Sequence, residues 1–248
     1  LMSSKDFGSI VYPAVPGRAM RSYRKAFDRN DNERFQAFLD GKEKSAVSAT
    51  YPVDVLLLTK SHEEDDAKLA NKQWENLEDF VKEGENILPI VDVSGSMGTE
   101  VARNIDAMDV SISLGLYLSE RNKGHFQGTI MTFSESPEMV HLKETTFTDR
   151  VNELRNVSWG YNTDFEKTYN LLLDSATSFK VPQKQMPTML LCISDMQFDE
   201  ANRGGTHLDD IRSRYKEAGY AMPKLVFWNV NARSNQQPAR HDDPGVAL

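Results

Sequence analysis

The sequence predicts an α/β fold: a doubly wound, mostly parallel sheet with one antiparallel edge strand, preceded by a small helical segment. Two observations carry that prediction. From Ile87 onward, short apolar runs of strand length alternate with stretches of helical periodicity, which implies parallel strands with helices on both faces. Before Gly84 the pattern is mostly helical and charged, without that alternation. The chain therefore reads as a helical N-terminal segment, residues 1–84, followed by an α/β domain, residues 85–248. A length of 248 residues is enough for one large domain or for a domain plus an appendage.

The elements follow in order. Residues 1–17 carry Pro13, Pro16 and Gly17 and read as an extended lead-in. Met20–Phe27 fits a helix, with Met20, Tyr23 and Phe27 on one face and Arg18, Arg21, Arg24 and Lys25 mostly on the other. Asp31 is placed to cap a second short helix through Leu39, closed by Gly41. Tyr51–Leu58 fits either a strand or a helix start. The acidic stretch His62–Asp66 opens a helix to Val81, with Ala70, Trp74, Leu77 and Val81 at helical spacing and Gly84 as terminator. Ile87–Val91 is a strand, and Glu100–Arg121 a long helix with Val101, Ile105, Met108, Ile112 and Leu116 on one face. Phe126–Phe133 and Met139–Leu142 are strands joined by a tight polar turn, hence antiparallel neighbours. Helices over Phe147–Asn156 and Asp164–Phe179, a central strand Met189–Ile193, a helix Leu208–Ala218 and a strand Leu225–Val230 complete the order. Asn231–Asp243 reads as a loop, and Pro244–Leu248 as the start of a last strand.

Composition narrows the class of protein. No run approaches the roughly 18 apolar residues of a membrane span, and nothing near Leu1 reads as a signal peptide. Cys192 is the only cysteine and lies in the apolar run TMLLCI, so a buried thiol in a reducing, cytoplasmic compartment is expected. The net charge of −8 is uneven: residues 1–49 hold 9 Lys and Arg against 6 Asp and Glu, the remainder 20 against 31. The acidic part is a poor match for a phosphate backbone, and the basic N-terminal part a weak one.

The most informative stretch is Ile87–Met97, ILPIVDVSGSM. Asp92 stands where a buried strand ends, which aims it into the crevice where open α/β sheets bind ligands. Ser94 and Ser96 follow at alternate positions on a turn loosened by Gly95, so one carboxylate and two hydroxyls can converge. Two further loops belong to the same edge: WGYNTD, residues 159–164, offers the Thr163 hydroxyl, and Asp195 directly follows the central strand. Such an oxygen set suits Mg²⁺, with Mn²⁺ or Ca²⁺ as alternatives, better than a soft metal. The five histidines are scattered without ligand spacing, which argues against zinc.

These residues resemble the von Willebrand factor A domain and its metal-ion-dependent adhesion site: DVSGS at Asp92–Ser96, Thr163 in YNTDF and Asp195 in ISDMQ. The resemblance covers roughly Asn86 to Leu248. It implies that Asp92, Ser94, Ser96 and Thr163 hold a divalent ion, that Asp195 acts through water, and that an acidic group of a protein partner fills the open position. It departs from the family pattern at SDM, residues 194–196, where many relatives have Thr-Asp-Gly, and in lacking the family's last strand and helix. The preceding VPGRAMRSYRKAFDRNDNERFQAFLDG resembles an uncharacterised family related to the Ro RNA-binding autoantigen. In Ro-like proteins a helical-repeat (TROVE) module precedes an A domain and binds structured RNA, which would make Arg18, Arg21, Arg24 and Lys25 candidate contacts to RNA or to an acidic partner.

Plainer readings of the same residues exist. Asp92, Ser94, Ser96, Thr163 and Asp164 are all good helix-capping types, and an arginine-rich helix face is most often simply the wet face. Catalytic sets are missing: there is no Walker-type loop, no G-x-S-x-G elbow, and Ser94 stands where an aspartyl phosphotransferase has a second carboxylate. The expectation is a non-enzymatic, metal-dependent binding module. An RNA-binding protein with the α/β domain as scaffold, and a metal-dependent phosphoryl hydrolase, are the alternatives.

Overall fold

The computed structural model describes residues 6–157, 164–195, 208–231 and 246–247. The chain forms two compact units: residues 1–80 with 144–152, and residues 81–143 with 153–248.

The first unit is helical. Helix α1 runs Gly17–Asp40, with Met20, Phe27, Phe35 and Phe38 buried. The two helices read from sequence meet within this span at a kink at Asp31, which has the non-helical φ −152° and ψ 47°. Asp31 does not cap the second half as expected. Its carboxylate instead accepts from the Tyr12 hydroxyl at 2.8 Å and from Arg34 at 2.9 Å, tying the lead-in to the kink. Tyr51–Leu58 resolves as helix: α2 spans Pro52–Leu56, with proline at its first position and the Tyr51 N–H donating to Asp54 at 3.0 Å. Helix α3 spans Glu64–Glu75, shorter than the stretch to Val81 read from sequence. The Asn76 side chain donates to the Lys72 carbonyl at 2.7 Å and ends the helix before its apolar period does. Lys72 is itself buried, donating to the Gly41 and Glu43 carbonyls at 2.6 and 2.9 Å. The stacked rings of Trp74 and Phe147, 3.9 Å between centroids, attach residues 144–152 to this unit.

The second unit holds the sheet. Its strands are β1 (Ile87–Val91), β4 (Thr129–Thr132), β5 (Met139–His141), β6 (Met189–Ser194), β7 (Lys224–Asn229) and β8 (Val246–Ala247), in spatial order β5-β4-β1-β6-β7-β8. The β4–β5 pair is antiparallel and every other pair is parallel. In β8, Val246 pairs with Leu225 and Ala247 with Val226. Helix α4 spans Ala107–Arg121, α6 Phe165–Ser178 and α7 Leu208–Glu217, while most of α5, Phe147–Arg155, falls in the first unit's residues 144–152. Strand residues alternate between faces. Leu88, Ile90, Leu190 and Cys192 join Tyr169 and Leu172 of α6 and Tyr215 of α7 in one core. Val91 instead meets α4, close enough that a Cβ built on Gly115 would lie 2.3 Å from the Val91 Cγ2. Helices thus cover both faces, which explains the continuous apolar character of the central strands.

The long helix read over Glu100–Arg121 needs correction. Only Ala107–Arg121 is helical; β2 (Glu100–Ala102) and β3 (Ile105–Asp106) form a short antiparallel hairpin. Asn104 takes a left-handed φ of 60° at its turn, which asparagine tolerates, and its N–H donates to the Glu100 side chain at 2.8 Å. Asp106 and Asp109 then exchange side-chain to backbone bonds of 2.8 and 3.0 Å, a capping box that fixes the helix start. Val101 and Ile105 stand four residues apart and so match a helical period, but Ile105 pairs with Ala102 across the hairpin. Among the described residues, no helix is long and apolar enough to cross a membrane.

Candidate metal centre

From β1 the chain proceeds to β4 and β5 on one side; β6, β7 and β8 lie on the other. The point between β1 and β6 is where strand order reverses, and the carboxyl ends of strands at such a point form a ligand crevice. Val91 pairs with Ile193, so the register carries Asp92 and Asp195 out at this point together.

The structure brings Asp92, Ser94, Ser96 and Asp195 into one hydrogen-bonded chain. The Ser94 N–H donates to Asp92 Oδ1 at 2.8 Å, the Ser94 and Ser96 hydroxyls lie 3.1 Å apart, and the Ser96 hydroxyl donates to Asp195 Oδ1 at 3.2 Å. The two carboxylates are buried, at 1% and 0% exposure, while both serines are half-buried and reach the surface of the turn. A 3₁₀ turn over Gly95–Gly98, closed by the Met97 N–H to the Ser94 carbonyl at 3.0 Å, presents the hydroxyls. Burial raises the Asp92 carboxyl above its usual range and the neighbouring Asp195 charge pushes the same way, while hydrogen bonds from Ser194 and Ser94 pull it back.

Thr163 and Trp159 lie outside the described residues, as does the segment that follows Asp195. Asp164, the next residue after Thr163, caps α6 by accepting from the Lys167 N–H at 3.0 Å, and its own N–H donates to the Ser134 carbonyl at 3.4 Å. The neighbouring Phe133 N–H donates to the Val91 carbonyl at 3.1 Å, so the start of α6 is tied to the strand that ends in Asp92.

Three supporting residues were not foreseen. The Ser194 hydroxyl, wholly buried, donates to Asp92 Oδ2 at 2.6 Å. Ser111 of α4 accepts the Asp92 N–H at 3.1 Å and donates to the Ile193 carbonyl at 3.0 Å. The Met97 sulfur accepts the Asp195 N–H at 3.2 Å.

The donor chemistry fits a small hard cation: two buried carboxylates and two hydroxyls supply oxygens only. Among the described residues, no group of three or more His, Cys, Asp or Glu side chains could hold a metal, so a cation here depends on the hydroxyls. When bound, it would supply a positive charge to balance two acids that burial otherwise disfavours.

The candidate RNA-contacting cations are placed differently. Arg18 and Arg21 both engage the buried Asp54, at 3.0 and 3.2 Å, and Arg18 also covers the Tyr51 ring. Arg24 pairs through two nitrogens with the buried Asp66. Lys25 pairs with Glu63 at 2.9 Å on the surface. All four bind acids of their own unit.

Comparison with known proteins gives the chain's relations. Residues 1–86 match a family described as Domain of unknown function (DUF2828). A mimivirus protein, Uncharacterized protein L728 of Acanthamoeba polyphaga mimivirus, is 27% identical over 271 residues, an alignment that covers all of this chain and 46% of that protein. The chain thus spans less than half the length of this curated relative. Residues 86–248, more than half of the chain, match the family described as Domain of unknown function (DUF7788), and the chain belongs to that family.

Proposed function

We propose that residues 86–248 form a von Willebrand factor A-type domain whose rim between β1 and β6 holds Mg²⁺, or Mn²⁺ or Ca²⁺ in its place, and presents it to an acidic side chain of a protein partner without catalysing a reaction. The observation that carries this reading is the joining of two buried carboxylates, Asp92 and Asp195, through the half-buried hydroxyls of Ser94 and Ser96. Helix capping accounts poorly for it, because α4 is capped elsewhere, by Asp106. An ion held directly by one carboxylate, Asp92, with hydroxyls and water in its other positions and Asp195 acting through water, stays electrophilic and keeps an open position for a carboxylate from outside. The order of parts, a helical unit ahead of the sheet, supports a relation to the Ro autoantigen and its TROVE module, and the buried Cys192 thiol suits the cytoplasm.

Mn²⁺ titration followed by electron paramagnetic resonance tests the reading. The wild-type chain is expected to bind Mn²⁺, Asp92→Ala to lose that binding, and added acetate to displace water from the bound ion, seen as a fall in water proton relaxation. A wild-type chain that leaves Mn²⁺ free at millimolar concentration overturns it.

A further inference from the structure

Each of the two acids at the rim has its backbone N–H held by a buried side chain that offers no oxygen to the cation. For Asp195 that partner is the Met97 sulfur, at 3.2 Å and fully buried. For Asp92 it is Ser111, on a different element. The direct bond from the Asp92 N–H to the Ile193 carbonyl is long, 3.3 Å, where β1 and β6 begin to part. The Ser111 hydroxyl sits in that opening, accepting from Asp92 at 3.1 Å and donating to Ile193 at 3.0 Å. It is 0% exposed. One helical turn later, Gly115 lets α4 lie against Val91, the residue just before Asp92. The peptide that carries the first carboxylate is therefore set by α4 through a single hydroxyl.

We infer that Ser111 is a positioning residue for the cation site, a role that rests on the metal-binding reading above. It does not touch the cation. It fixes the direction in which Asp92 leaves the sheet, and so whether Oδ1 meets the Ser94 N–H and Oδ2 the Ser194 hydroxyl. Loss of groups that orient a metal ligand typically lowers metal affinity about 10- to 100-fold.

The test is Mn²⁺ affinity of the full chain by electron paramagnetic resonance, for Ser111→Ala beside Ser119→Ala. Ser119 lies on the same helix, is equally buried, and its hydroxyl donates within the helix, to the Leu116 carbonyl at 2.9 Å. It therefore measures what losing a buried α4 hydroxyl does to folding alone. Ser111→Ala is expected to weaken Mn²⁺ binding about tenfold while Ser119→Ala binds as the wild type does, although both lower the thermal midpoint. Ser111→Cys, which keeps a weaker donor and acceptor in place, is expected to fall between Ser111→Ala and wild type. Equal Mn²⁺ affinity in Ser111→Ala and wild type, or an equal loss in both alanine variants, overturns the positioning role. A wild type that binds no Mn²⁺ overturns the metal reading itself, so the two failures are distinguishable.

Discussion

Asp92→Asn should invert the stability order of the protein depending on whether a divalent cation is present. In EDTA the wild type holds two neighbouring carboxylates, at 1% and 0% exposure, with hydroxyls but no cation between them. The substitution keeps a carbonyl oxygen for the Ser94 N–H, now bonded at 2.8 Å, and puts an amide NH2 where Oδ2 accepts from Ser194 at 2.6 Å, so the Ser194 hydroxyl turns to accept instead of donate. Exchanging a charged for a neutral hydrogen bond costs roughly 1 kcal/mol. Removing a desolvated charge that faces a second acid returns more, since the effective penalty is several kcal/mol per buried ion. The metal-free variant should therefore melt higher than the metal-free wild type. With Mg²⁺ at about 100 times its dissociation constant, the wild type alone gains about 2.7 kcal/mol by linkage. At about 2–4 °C per kcal/mol for a protein of this size, that is a rise on the order of 5–10 °C. Differential scanning fluorimetry in EDTA and in Mg²⁺ reads all four midpoints. A wild-type midpoint that ignores Mg²⁺, or an Asp92→Asn midpoint below wild type in EDTA, refutes the reasoning.

Other changes have clear expected outcomes. Gly115→Ala should destabilise the sheet unit by about 1–3 kcal/mol in urea titration through overpacking, because its Cβ would lie 2.3 Å from the stiff Val91 side chain; this outweighs the roughly 1 kcal/mol that alanine gains over glycine in a helix. Arg24→Ala should cost about 3–5 kcal/mol by leaving the buried Asp66 without its guanidinium, whereas Lys25→Ala, whose partner Glu63 is exposed, should cost under about 1 kcal/mol. Because the Asp92 carboxyl is raised in the fold, its ionised form opposes folding above that raised pKa. This penalty is relieved as pH falls through the raised value toward the unfolded value near about 3.9. Mg²⁺ binding should then release protons over the same window, seen by calorimetry in buffers of different ionisation enthalpy.

The parts that could be read in advance are those set by neighbours in sequence. An apolar run ending in an aspartate marks a strand's carboxyl end wherever it occurs, so Asp92 and Asp195 could be assigned to one rim before their strands were known to pair. The antiparallel β4–β5 pair was legible from the short polar turn between them. What stayed hidden depends on distant partners. Ser194 lies 102 positions from the Asp92 it bonds, and Ser111 lies 82 from the Ile193 carbonyl; a serine in a helical stretch says nothing about which strand it will meet. The hairpin at Glu100–Asp106 stayed hidden for another reason, since the four-residue spacing of Val101 and Ile105 continues the helical period of Met108 and Ile112 although Ile105 pairs with Ala102. Asp31 looked like a cap because caps and kinks use the same residue types, and only the Tyr12 and Arg34 contacts separate them.

The arginine cluster shows how such distant partners alter a functional reading. On sequence, Arg18, Arg21, Arg24 and Lys25 form a basic face suited to phosphates. In the folded unit their acids come from 33 to 42 residues away, and two of those acids, Asp54 and Asp66, are buried. A phosphate that recruited Arg24 would leave Asp66 charged and buried, a loss of about 3–5 kcal/mol. One arginine–phosphate contact is not expected to offset that, because a hydrogen bond to a charged group contributes about 1.5–3 kcal/mol. Arg18 is the more available cation, since its side chain is 55% exposed and Arg21 can hold Asp54 without it. RNA binding through this face should therefore be weak, with a salt slope set by about one or two neutralised phosphates, not four. Filter binding of a structured RNA over a series of salt concentrations, with Arg18→Ala and Lys25→Ala beside wild type, measures that slope. A slope near four, reduced by each substitution while the helical unit stays folded, would show that the ion pairs open for RNA and that the face works as a binding surface.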